Sequence, residues 1–282
     1  MKTGDTGRRL NLNLAGVRFE IDSVNSEHMG ARLARYEGCP ENAGASPDSK
    51  SGTLISANLA PAIFLQMTPE DIRKEKDLTI QSWQKHGIEI SDIHDSYYEF
   101  TALLEKILPI LIDHQIIYLH GSAICVNGQG FLFTAPSGTG KSTHARLWRE
   151  RYGEEIVMIN DDKPLIRLIN NEIFICGSPW NGKHNLGNQI AAPLRGIVRL
   201  RRGNINEIRD LSKAEAFKEL YLQTYRFKKK EKMQTVMSLL ARIIEQVPCY
   251  ALSCNMDPEA AEVARAGIDK GWTAEKRQQN GE

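Results

Sequence analysis

An apolar run, Gly130 to Thr134, ends in Ala135-Pro136-Ser137-Gly138-Thr139-Gly140-Lys141-Ser142-Thr143, and a helical segment starts at about Lys141. This junction constrains the fold more than any other stretch. A strand must run in, a glycine-rich turn must follow, and a helix must run out, which is the βα junction of an α/β domain. The glycines let backbone N–H groups turn inward as an anion nest. The helix N-terminus adds its partial positive charge. The run matches the P-loop pattern except that Ala135 stands at the first glycine position. Lys141 is spaced to reach β- and γ-phosphates, and Ser142 to place its hydroxyl on Mg²⁺. Ser137, Gly138, Thr139, Gly140, Lys141, Ser142 and Thr143 form the expected nucleotide-binding segment, with ATP and Mg²⁺ as ligands.

A second element lies at the end of another apolar strand, in Ile159-Asn160-Asp161-Asp162-Lys163. Side chains alternate along a strand, so adjacent carboxylates point apart unless the strand ends or turns there. At such a turn one carboxylate can hold Mg²⁺ while the other accepts the proton of an attacking hydroxyl. Asp161 is the expected metal contact, and which of the two is the base stays open. The plain alternative is a surface turn.

His120-Gly121, the loop Ser137 to Ser142 and Asp161-Asp162 together resemble the catalytic domain of bacterial HPr kinase/phosphorylase, a family that shares its P-loop architecture with the ATP-dependent phosphoenolpyruvate carboxykinases. The resemblance spans about residues 115–202, with a looser likeness to about 268. It implies an α/β P-loop kinase domain with a mixed β-sheet. It also implies catalytic roles for Asp161, Asp162, His120 and Lys141, with His120 beside the transferred phosphate. The run Gly177-Ser178-Pro179-Trp180-Asn181-Gly182-Lys183-His184 departs from that family's signature. It resembles instead a subgroup encoded beside modified-peptide gene clusters, some of whose members phosphorylate a serine of a peptide precursor. Asn181, Lys183 and His184 are then candidates for the acceptor side; independently of the resemblance, Arg199, Arg201 and Arg202 sit on or just after a strand expected near the nucleotide, which makes Arg201 a further substrate contact. A tight Pro/Gly loop with solvated tips is the structural alternative.

The remaining pattern sets the frame. Ser96 and Glu99 read as a capping box. Phe100, Leu103, Leu104, Ile107, Leu108 and Leu111 follow at helical spacing, with Pro109 near the helix end. Ile116–Val126 and Gly130–Thr134 read as β segments joined at Asn127-Gly128, a hairpin signal. Further strands are expected at Ile156–Asn160, Leu165–Ile169, Ile173–Cys176 and Ile197–Arg201. Ser212 with Glu215 marks another capping box, Met233 to Val247 an apolar helical stripe, and Asp257-Pro258 a last helix start. Ahead of Ser96, Leu10 to Ile21 alternates with period two and turns near Gly16, Glu37 to Thr53 reads as a loop, and Leu54 to Met67 as one or two strands. These signals divide the chain into a small β-rich N-terminal region (1–94), a kinase-like domain (95–270) and a polar tail (271–282).

Composition narrows the class. The 282 residues carry 36 basic and 35 acidic side chains, a net charge of +1, which argues against a surface coated for nucleic acid. No apolar run approaches the ~20 residues of a membrane span, and no signal-peptide core opens the chain, so a cytoplasmic protein without membrane partners is expected. Five scattered cysteines signal neither a disulfide framework nor a zinc knuckle. Cys125 and Cys176 read as buried thiols. From Arg195 to Lys232 twelve Lys/Arg face five Asp/Glu, a local excess of +7. That is either a solvated face or a docking surface for phosphates or an acidic peptide.

The combination points to an ATP-dependent kinase acting on a hydroxyl, foremost a serine of a peptide or small protein. Alternatives are a small-molecule kinase, a carboxykinase-like enzyme and a nucleotide-binding regulatory module without turnover. A homo-oligomer is left open.

Overall fold

The computed structural model describes residues 9–37, 61–89 and 92–280, with side chains to residue 271. Cys39, most of the Glu37–Thr53 loop and the first part of Leu54–Met67 lie outside the described residues. Those described fall into two compact units, one of residues 9–37, 61–89 and 92–114, the other of 115–280. The sequence reading groups the helix at 95–111 with the later residues; the contacts group it with the first unit.

In the first unit, β1 (Arg9–Leu14) and β2 (Val17–Asp22) form an antiparallel hairpin, and β3 (Ile63–Gln66) adds parallel to β2. Ala15 and Gly16 take φ of 49° and 87°, the paired positive values of a tight two-residue turn. The region is not only β-rich: it also holds α1 (Ser26–Leu33) and α2 (Pro69–Lys85). Thr68, Pro69 and Asp71 open α2 with a complete capping box and an N1 proline, a signal present in the sequence and passed over.

The helix α3 (Asp95–Leu111) corrects one expectation. Ser96 and Glu99 form no capping box; His94 is the N-cap, its Nδ1 accepting from the Ser96 backbone N–H. Glu99 is fully buried and reaches the turn after β2. There it accepts from Ser23 Oγ (2.7 Å), the backbone N–H of Val24 (2.8 Å) and Asn25 (2.9 Å), and Asn25 Nδ2 (2.7 Å). Four donors compensate the buried carboxylate better than one cap contact would. Pro109 sits in the last turn of α3, which ends two residues later.

The second unit is built on a mixed sheet. Its strands are β4 (Ile116–Tyr118), β5 (Gly121–Val126), β6 (Gln129–Thr134), β7 (Ile156–Asn160), β8 (Leu165–Ile169), β9 (Glu172–Cys176), β10 (Ala191–Arg202), β11 (Glu207–Asp210) and β12 (Cys249–Cys254). The order runs β4-β8-β9-β10-β6-β5-β7, with β12 also pairing β10, and β11 pairing β12. β10 joins the parts: its start pairs antiparallel with β9, and its later residues lie parallel between β6 and β12. The Asn127-Gly128 hairpin forms as expected, with φ of 49° and 77°.

The expected strand Ile116–Val126 is two strands. It breaks at Leu119-His120, where pairing changes from β8 on one side to β6 and β7 on the other. Around this sheet run α4 (Lys141–Tyr152), α5 (Lys213–Tyr221), α6 (Lys230–Gln246) and α7 (Glu259–Asn280). The Ser212–Glu215 capping box opens α5. α7 continues through the polar segment to Asn280. Phe131, Phe133, Trp148, Val198, Leu252 and Ala264 share one buried core, which fixes α4 and α7 against the sheet. Cys125 and Cys176 are buried, and burial pushes their thiols up to about 11 and about 12. No described helix is long and apolar enough to cross a membrane.

Candidate functional site

The β6–α4 junction takes the shape its glycines permit. Gly138 and Gly140 have φ of 76° and 120°, where a side chain would be strained, and Gly140 caps α4 directly. Lys141, the first residue of α4, is only 7% exposed. Its Nζ donates to the carbonyls of Ala135 (3.1 Å) and Pro136 (3.4 Å). Burial lowers its pKa, and the charges of Asp162 and Asp161 act in the opposite sense. Both carboxylates therefore lie within electrostatic reach of one ammonium.

The backbone explains how neighbouring carboxylates converge. β7 bulges against β5 just before Asn160, since Ala123 pairs with Asn160 and Ile124 with Met158. Such a bulge re-aims the side chains that follow it. Asn160, fully buried, then locks the turn. Its Oδ1 accepts from the backbone N–H of Asp162 (2.8 Å) and Lys163 (2.7 Å), and its Nδ2 donates to the Ser178 carbonyl (2.9 Å).

The two aspartates have different surroundings. Asp161 is 6% exposed, accepts from Ser122 Oγ at 2.6 Å and shares with Ser142 the lining of a 420 Å³ cavity. Asp162 is more open; its Oδ1 is 3.4 Å from His120 Nε2 and its Oδ2 is 2.5 Å from Lys163 Nζ. His120 sits at the β4–β5 break, with its backbone N–H donating to the Gln223 carbonyl. Burial lowers its pKa, the Lys141 charge adds to that, and Asp162 opposes it.

The structure thus brings His120, Lys141, Ser142, Asp161 and Asp162 together. The acceptor-side candidates divide. His184 lines the Ser142–Asp161 cavity. Asn181 packs on Gly187, where a Cβ would come within 1.8 Å of its Oδ1. Lys183 is exposed. Arg201 is not with them: it pairs with Glu219 at 3.2 Å and lines a separate cavity beside Gly138 to Gly140. The reason is that β10 runs parallel to β6, so its C-terminal end arrives on the glycine loop.

Sequence reasoning passed over Asn160, Ser122, Lys163 and His144. Asn160 was readable as a turn-forming residue at a strand end. Ser122 carried no signal, because its partner is 39 residues away.

His144, on the first turns of α4, is 2% exposed, and burial alone holds its pKa down to about 4 from 6.5. The unfolded chain takes up this proton as pH falls below 6.5, and the folded chain does not until about pH 4. Stability must therefore drop through that window, by about 3 kcal/mol at 1.36 kcal/mol per pKa unit. Urea denaturation between pH 7 and 4 should show the native protein losing about 3 kcal/mol more than His144→Gln. Equal losses in both would refute the assignment.

No protein-family model and no curated protein sequence matches the chain. Among solved structures, the Hpr(Ser) kinase/phosphatase from Coxiella burnetii is similar, with 12% identity and a TM-score of 0.36, over 57% of this chain and 96% of that one.

Proposed function

We propose that the second unit is an ATP-dependent phosphotransferase that phosphorylates a hydroxyl, foremost a serine of a peptide or small protein. The observation that carries this reading is the convergence of Lys141, Asp161, Asp162 and His120 at a glycine loop followed by a helix N-terminus. Phosphoryl transfer needs little beyond positioning, charge neutralisation and a base. Each requirement has a candidate residue in this cluster.

The loop residues Ser137 to Thr143 would hold the phosphates of ATP through backbone N–H groups, with Lys141 neutralising their charge. Asp162 is the better placed base, since it is the more accessible carboxylate and contacts His120. It accepts the hydroxyl proton as the acceptor oxygen bonds to the γ-phosphorus and the bond to the bridging oxygen of ADP breaks. His120, held largely neutral by burial and by Lys141, orients that carboxylate.

Among the described residues no group of three or more His, Cys, Asp and Glu is arranged to hold a metal. Mg²⁺ keeps most of its waters and binds through one or two protein oxygens plus substrate phosphates, so it does not need such a group. Ser142 and Asp161, lining one cavity, are the residues that would hold it. Bound there, Mg²⁺ would offset charge on the phosphates.

The acceptor would approach from the side of His184 and the Gly177–Gly187 loop, with Asn181 bracing that loop. A small-molecule hydroxyl would satisfy the same chemistry. Incubation of the full chain with γ-labelled ATP, Mg²⁺ and serine-containing peptides tests the reading: label should move to a hydroxyl. ATP binding with no transfer would point instead to a nucleotide-binding module.

A further inference from the structure

Folding distributes the positive excess between Arg195 and Lys232 unevenly. Arg195 pairs with Glu172, Arg199 and Arg201 share Glu219, and Arg209 pairs with Glu215. The run after α5 stays uncompensated. Arg226, Lys228, Lys229 and Lys230 are exposed, and among the described residues none of the four has a carboxylate partner. Glu231 is the single acid between Arg226 and Lys232, against five basic residues.

The fold itself gains nothing from these charges. Lys229 is the N-cap of α6 and Lys230 its first residue, with no side-chain cap. Cations at that end of a helix meet the positive pole of its dipole, which disfavours them. Aromatic rings lie among the charges: Tyr225 and Phe227 meet edge-on at 4.8 Å, and Arg226 lies over the Tyr221 ring at 5.8 Å.

The start of this run is fastened to the candidate site. The Gln223 carbonyl accepts from the His120 backbone N–H at 2.8 Å, Thr224 bridges Leu119, and Thr224 Oγ1 donates to the Tyr118 carbonyl at 3.2 Å. From Thr224 to Lys228 the chain can span at most about 14 Å, the length of about four extended residues. A peptide whose serine hydroxyl meets Asp162, beside His120, therefore has residues about three to six positions away within reach of the lysines.

We propose that Arg226, Lys228, Lys229 and Lys230 form a docking surface for the phosphoryl acceptor, and that the acceptor is a peptide segment with Asp or Glu about three to six residues from its serine. The proposal rests on the phosphotransferase reading of the site. Opposite charge supplies the attraction and sets the register of the serine. A peptide fits better than a nucleic acid, because the chain carries a net charge of only +1 and so short a patch meets few phosphates.

Fluorescein-labelled peptides test it with the full chain. Each has one serine and three aspartates three to six residues to one side or the other, beside a matching asparagine peptide. Anisotropy reads binding, and γ-labelled ATP with Mg²⁺ reads transfer. At low salt the native chain should bind its better aspartate peptide about tenfold more tightly than the asparagine form, with the same preference in kcat/KM. High salt should shrink that ratio. The triple variant Lys228→Glu, Lys229→Glu, Lys230→Glu should lose the preference and favour a peptide with three lysines instead. Its Tm should not fall, since acids suit a helix N-terminus. Equal native affinities for aspartate and asparagine peptides, or an aspartate preference that survives in the triple variant, would overturn the surface. Tighter binding of a single-stranded oligonucleotide than of any peptide would also overturn it and make nucleic acid the occupant. The expected preference without transfer to any hydroxyl would keep the surface and overturn the phosphotransferase reading.

Discussion

Replacing Asp162 by asparagine should lower phosphoryl transfer about 10³-fold while leaving ATP affinity within a few-fold of native. The two carboxylates of the pair do not have equal standing. Asp161 is buried against Ser122 and faces the Ser142 cavity; Asp162 is more open and lies 3.4 Å from His120. Only Asp162 has both the access and the partner of a general base. Asparagine preserves its shape, and its amide oxygen can still accept from Lys163, but it cannot take a proton. A fall in kcat at constant affinity, measured with labelled ATP, is the signature of an interaction needed only in the transition state. Asp161→Asn should behave differently, raising the Mg²⁺ concentration needed for half-maximal rate. If Asp162→Asn retained more than about a tenth of native transfer, the role of base would have to move elsewhere.

Lys141→Ala should weaken ATP binding a hundredfold or more, about 3 kcal/mol. The Lys141 ammonium lies on the carbonyls of its own loop, and the charges of Asp161 and Asp162 act on it. Burial already penalises that charge. Its direct contacts are neutral carbonyls, so a triphosphate would add an anion in direct contact with a half-desolvated ammonium. Alanine leaves the backbone N–H groups of the loop in place, so residual weak binding is expected rather than none. Thermal denaturation serves as the control, since removing a buried charge should not unfold the domain. Calorimetry showing native affinity in Lys141→Ala would place the nucleotide elsewhere.

The parts of this site that are local in sequence could be read from it. The strand–glycine–helix junction at 130–143, the Asn127-Gly128 hairpin and the ends of β7 and β8 depend on neighbours a few residues apart, and each agrees with its local signal. The errors arise where a distant partner outbids a local one. Glu99 has the spacing of a capping box but is taken by the Ser23–Asn25 turn, more than 70 residues away. Arg201 was legible as part of a strand near the nucleotide loop, and the parallel pairing of β10 with β6 is what carries it beside Gly138 to Gly140. β12 is a central strand whose Cys249–Cys254 sequence carries little β pattern, and its place is set by packing between β10 and β11. His144 reads as one more polar residue on α4; only the Trp148 contact, in which the indole N–H must donate, reveals its tautomer.

The most direct test of the central claim is transfer of the γ-phosphoryl group, followed with labelled ATP and Mg²⁺ in the presence of serine-containing peptides, alongside ATP binding to the same preparation. The account predicts label on a hydroxyl with the native chain and its near-complete loss in Asp162→Asn, with ATP bound in both. Native protein that binds ATP and never releases the label to any acceptor, water included, would contradict it.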